Sequence, residues 1–312
     1  MKKLILVVVV AVLATFAVGA QQITLGFVAA NQGAVTQATV SNRLEQIAKT
    51  EGWKILISNA AGSWEKMNNL VENYVSRKVD AIVIAMGQAS SMQSSLQAAK
   101  NAGIPVFAID NEYSDLMTAD ILTNNWEIGS KMATYLVDRL NHKGNILVFK
   151  FDQFYGTRFR GKALDTVLSE EPNIKVLDTH FLPPAGFVED ATSAMQAYLV
   201  KYGKQIDAVW CAWDDPAYGV SLAIKDKGLT QKDIFVVGAD GNPRNLQLIK
   251  SGQSPVAATV LQPFEDSTAK AADLIKQIVV KKRSPQEVIG DVKVIYMSTP
   301  LVTSANAGDY LK

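Results

Sequence analysis

Short runs of β-branched and aliphatic residues alternate with helix-length amphipathic stretches along nearly the whole chain. "ITLGFVA" (23–29) predicts a strand, and residues 36–50 place Val40, Leu44, Ile47 and Ala48 at helical spacing. "KILIS" (54–58) predicts the next strand and residues 64–77 the next helix. "DAIVIA" (80–85) is apolar at consecutive positions, the pattern of a parallel strand buried on both faces. A helix running to Asn101 is stopped by Gly103, and Pro105 opens the strand "PVFAI". The rhythm then restarts with strands at 144–150, 173–181, 206–212 and 233–239, and with helices over 157–170, 188–203 and 215–227. Two such runs predict an α/β protein of two doubly wound parallel-sheet lobes.

The first twenty residues stand outside this pattern. Lys2 and Lys3 precede an apolar run from Leu4 to Val18 that closes on Gly19 and Ala20. This predicts a secretory signal cleaved near Ala20 rather than a membrane anchor, hence a periplasmic chain with no membrane insertion of its own. The 312 residues carry 31 Lys and Arg against 30 Asp and Glu, so there is no basic footprint for a nucleic-acid partner. The single cysteine, Cys211, lies in the apolar run "AVWC" and reads as core; it can form no internal disulfide.

Doubly wound sheets bind ligands beyond the C-terminal ends of their strands, which directs attention to those positions. Asp110 and Asn111 follow "PVFAI"; Asn124 and Asn125 follow "DILT"; Arg158 and Arg160 follow "NILVFKFDQ". Trp213 and Asp214 follow "AVWCA", Asp240 follows "FVVGA", and Gln262 follows "AATVL". Asp215 reads as the cap of the helix that Pro216 opens, and Asp214 either shares that role or faces the cleft.

Catalytic and metal chemistry find no footing in this set. His142 and His180 have no Cys, Asp or Glu at a ligand spacing, so no metal is expected. "YGVSLA" lacks a nucleophile elbow, which leaves Ser221 an ordinary helix residue. No phosphate-binding loop follows the first strand, and no cofactor is expected. What the strand-end residues suit is a neutral polyhydroxylated ligand. Each hydroxyl both donates and accepts, so Asp beside Asn or Arg satisfies both. Trp213 and Phe187 could cover the apolar face of a sugar ring.

The order and spacing of "GIPVFAIDN", "TNN", "RFRG", "DAVWCAWDDPAYGV", "VVGADGNP" and "AATVLQPFEDS" resemble the periplasmic sugar-binding proteins of ABC importers, of the ribose-binding, type I kind. The resemblance implies three crossovers near residues 124, 263 and 290. Residues 21–124 with 263–290 would form the N-terminal lobe, and 125–262 with 291–312 the C-terminal lobe. It further implies that Asp110 holds two hydroxyls and that Asn125 faces the ligand from a crossover. Arg158 would donate from the second lobe, with Asp240 and Gln262 completing the polar ring. Asn111 stands where ribose binders have an arginine, and Trp213 where they have an asparagine. Ala85 lacks an amide that Gln88 could replace, and the first loop offers Asn31 in place of paired aromatics. These departures imply another pentose, a hexose or a polyol. The expected role is a non-enzymatic solute-binding protein that delivers its ligand to an ABC permease. Presentation to a chemoreceptor or sensor kinase is the alternative, and a sugar-modifying enzyme a third.

Overall fold

Parallel strands buried on both faces need helices on each side, and the chain supplies them in alternation. In a computed structural model describing residues 22–311, the first run is β1 (Thr24–Ala29), α1 (Val35–Glu51), β2 (Lys54–Asn59), α2 (Trp64–Ser76) and β3 (Ala81–Ala85). It continues with α3 (Gln93–Asn101), β4 (Val106–Ile109) and β5 (Ala119–Thr123). The signal expected over residues 1–20 lies outside the described residues. The second run is α4 (Asn125–Arg139), β6 (Gly144–Lys150), α5 (Tyr155–Leu168), β7 (Ile174–Phe181), α6 (Phe187–Tyr202) and β8 (Ala208–Cys211). α7 (Asp214–Asp226), β9 (Phe235–Asp240), α8 (Pro243–Ser251) and β10 (Val256–Leu261) complete it. Then come α9 (Phe264–Ile275), α10 (Pro285–Ile289), β11 (Val294–Met297) and β12 (Leu301–Thr303).

The strands form two six-stranded sheets, ordered β11-β5-β4-β3-β1-β2 and β12-β10-β9-β8-β6-β7. Every pairing is parallel except that of β12, which runs antiparallel to β10. The two lobes are thus α/β and doubly wound, with the same order in each. The order reverses between β1 and β3 and again between β6 and β8, and each reversal opens a crevice beyond the strand ends. In the first lobe Phe27, Val83 and Phe107 pack with Val40 and Leu44 of α1 and Leu274 of α9. Ile82 and Ile84 face the opposite way, towards Met67 and Tyr74 of α2. The second lobe buries Phe149, Trp210 and Val236 with Met132 of α4 and Leu164 of α5, and Cys211 is fully buried among them.

The chain crosses between lobes after β5, after β10 and after β11. The third crossing falls at residues 298–300 rather than near 290. Val294–Met297 pair in parallel with Asp120–Thr123, and Ile295 and Met297 pack on the first core, so residues 291–297 stay with the first lobe. At the first crossing, α4 and α5 pack closely because of Gly129. A Cβ there would lie 2.6 Å from both the Cα and the backbone oxygen of Arg160.

Candidate functional site

A cavity of ≈ 690 Å³, counted with its open mouth, lies between the facing strand ends of the two sheets. β1 brings Ala30 and Asn31 to it, β3 brings Met86, and β4 brings Asp110. From the other lobe β6 contributes Phe151, β8 Trp213 and β9 Asp240, while Gln262 enters from the crossing after β10.

Its polar side is one connected network. Asn125 opens α4, donates to Asp110 Oδ1 at 3.3 Å and accepts from Arg160 Nε at 2.8 Å. Arg160 Nη1 donates to the Ala212 carbonyl at 3.0 Å and lies 3.4 Å from Asp240 Oδ1. Gln262 Nε2 donates to the same Asp240 oxygen at 2.7 Å, while its Oε1 accepts from the Thr123 hydroxyl. The chain of bonds therefore joins both lobes and two of the crossings. Asp110 and Asp240 hold φ angles of 50° and 117°, a region side chains rarely adopt. Such strain persists only where neighbours hold the residue in place.

Burial governs the charges of this network. It pushes the Asp110 carboxyl above its usual range, against the opposing pull of Arg160 and the Asn125 amide. It raises Asp240 to about 7, with Arg160 and then Gln262 pulling the other way. Arg160 is the only cation among the described residues lining the cavity, so two carboxylates share one guanidinium.

Three aromatic rings of the second lobe cluster in the lining. Trp213 sits edge-on to Phe187, with ring centroids 4.9 Å apart, and to Phe151 at 5.7 Å; Phe151 and Phe187 are 6.2 Å apart. All three rings line the cavity.

Of the residues expected from sequence, Asn31, Asp110, Phe187, Trp213, Asp240 and Gln262 line the cavity. Asn125 sits behind it, bonded to both Asp110 and Arg160. Asn111 is fully buried and turns away, donating to the Glu112 carbonyl at 2.7 Å in space that Gly87 leaves open. Gln88 begins a short turn at Ala89–Ser91 and does not line the cavity. Arg158 also lies off it, donating to the Asp152 carbonyl at 2.7 Å; the arginine in the cavity is Arg160.

Asp214 is likewise outside. Its carboxylate accepts from the Asn242 N–H at 2.8 Å and from the Thr259 hydroxyl at 2.9 Å, in space that Gly238 leaves open. Neither aspartate caps α7 through its side chain: Trp213 holds the N-cap position without a side-chain bond, and Asp215 pairs with Arg244 at 3.2 Å. Sequence reasoning missed Phe151, Phe154, Met86 and Trp64, which line the cavity as apolar residues without a motif.

Among known proteins, the profile of the periplasmic binding protein domain matches residues 25–283. A xylitol-binding protein of Mycolicibacterium smegmatis is 31% identical over 217 residues, 67% of this chain but only 59% of that protein's length. A ribose import binding protein of Bacillus subtilis is 25% identical over 254 residues, 80% of each chain. A solved ABC transporter solute-binding protein of Agrobacterium vitis, with bound allitol, superposes with a TM-score of 0.82. It is 26% identical and covers 94% of this chain and 99% of its own. These relatives are binding proteins rather than enzymes.

Proposed function

Because the chain belongs to the periplasmic binding protein domain family, we propose that it is the exported solute receptor of an ABC importer, closing around a monosaccharide or polyol and handing it to a membrane permease. One observation carries this reading. The linked set Asp110, Asn125, Arg160, Asp240 and Gln262 lies at the facing strand ends of both lobes, against an aromatic wall. Asp110, Asp240 and Gln262 offer acceptors and donors to hydroxyls, Arg160 supplies the positive charge, and Asn125 holds Asp110 and Arg160 in register. Hydrogen bonds to charged groups contribute about 1.5–3 kcal/mol each, and micromolar affinity needs only about 8 kcal/mol. Relatives that bind xylitol, ribose and allitol support the ligand class.

Trp213, Phe187 and Asn31 complete the contacts. Asn111, Gln88, Arg158 and Asp214 lie outside the cavity and make no ligand contact in this proposal. A thermal-shift screen of pentoses, hexoses and their polyols tests the reading, since a ligand of the folded state raises Tm. At least one is expected to raise Tm by several degrees and to be recovered chemically unchanged. A flat screen, or conversion of the sugar, would overturn the proposal.

A further inference from the structure

The cavity's polarity is one-sided, and this narrows the ligand beyond a sugar or polyol. Its charged groups, Asp110, Arg160 and Asp240, form a single cluster with the Gln262 amide. A second part of the lining is apolar: Trp213, Phe187 and Phe151 pack on one another, and Phe154, Met86 and Pro184 also face the cavity.

The polar side chains interspersed there are largely committed. Thr157 donates its hydroxyl to the Phe151 carbonyl, and Asn31 gives its amide to the Pro184 carbonyl at 3.1 Å and its oxygen to the Gly33 N–H at 2.9 Å. Gln37 accepts from the Asn31 N–H at 2.7 Å, and the Thr36 hydroxyl is turned to the Met86 sulfur at 3.8 Å. What remains on that side is the Trp213 N–H, the Gln37 amide nitrogen, a second Asn31 N–H, the Thr36 and Thr157 hydroxyl oxygens as acceptors and, at the exposed mouth, Gln153, a set scattered among aromatic carbon.

From this geometry we propose that the ligand is an amphipathic monosaccharide: hydroxyls along the edge that meets Asp110, Arg160, Asp240 and Gln262, and an apolar deoxy, O-methyl or thioether end against Trp213, Phe187 and Phe151. A hydroxyl at that end would meet mainly aromatic carbon and exchange water for few partners, at a cost of about tenfold in affinity relative to a methyl. A methyl or thioether there gains contact with aromatic carbon instead. The inference rests on the sugar-site reading and specifies which sugars satisfy it.

Matched pairs test it by titration calorimetry on the mature protein: D-ribose against 5-deoxy-D-ribose and 5-methylthio-D-ribose, D-galactose against D-fucose, and L-mannose against L-rhamnose. In any pair that binds, the less hydroxylated member is expected to be at least tenfold tighter. Phe187→Asn, at a half-buried position, should shrink that gap while the Tm of the unliganded protein stays within a few degrees. Equal or tighter binding of the fully hydroxylated member overturns the inference. So does binding of a fully hydroxylated polyol when no deoxy or thioether sugar binds, an outcome that leaves the proposed function standing. If neither these pairs nor any sugar or polyol binds, the proposed function fails first, and the inference with it.

Discussion

Arg158 and Arg160 stand two residues apart on α5 and meet different surroundings. The buried positions of that helix are Tyr155, Gly156, Thr157, Arg160, Gly161, Ala163 and Leu164, so Arg160 lies on the packed face with Thr157 and Leu164. Helical phase in "RFRG" carries enough information to separate the two arginines, and carrying over a family motif does not. Arg158→Ala is expected to leave sugar affinity within about twofold. Arg160→Met should weaken it about 100-fold, because charged hydrogen bonds are lost at a dry site. Calorimetry on both variants checks the contrast, and the reverse order would move the site.

Asp240 carries a second prediction at this scale. Its folded carboxyl is raised to about 7 from an ordinary value of 3.8, so the native state holds the proton more tightly than the unfolded chain does. The stabilisation this gives is complete below about pH 4 and is lost progressively as pH rises to about 7, on the order of 4 kcal/mol. Urea unfolding of the unliganded protein between pH 4 and 8 measures it, and Asp240→Asn should flatten that part of the profile.

At the scale of elements, strands and helices were legible wherever apolar periodicity was strong, and the lobe boundary at the last crossing was not. Gly290 looks like a break, yet the short strand β11 still follows it in the first sheet. Only its parallel pairing with β5 reveals this, and a long-range pairing leaves no local signal. Gly129 sets the distance between α4 and α5, which in turn positions Arg160. Gly129→Ala is expected to cost about 1–3 kcal/mol in chemical denaturation and to weaken ligand binding.

Asp120 in β5 gives the opposite prediction. It is 2% exposed, and burial, reinforced by the neighbouring Asp110, holds its carboxyl well above the usual range with only the Asn111 N–H favouring its charge. Asp120→Asn keeps the shape of the side chain and removes a charge that burial disfavours. Stability at pH 7 should change by less than about 1 kcal/mol. A loss of several kcal/mol would show that the carboxylate is ionised and paired.

At the scale of the whole molecule, the lobes touch across the cleft as well as through the crossings. Asn31 donates to the Pro184 carbonyl, and the Asp215 carboxylate faces the Val35 N–H at the start of α1. The polar network likewise begins on one lobe, at Asp110, and ends on the other, at Asp240. On the proposed function, closure and ligand recognition are one event, in which each lobe supplies a carboxylate to the same bound molecule. Titration calorimetry of a panel of monosaccharides and polyols into the wild-type chain and the Asp110→Ala/Asp240→Ala variant tests this most directly. The account predicts a ligand bound one to one with micromolar or tighter Kd, and a loss of at least about 100-fold in the variant. Undiminished binding by the folded variant, or no binding of any sugar or polyol by the wild type, would contradict it.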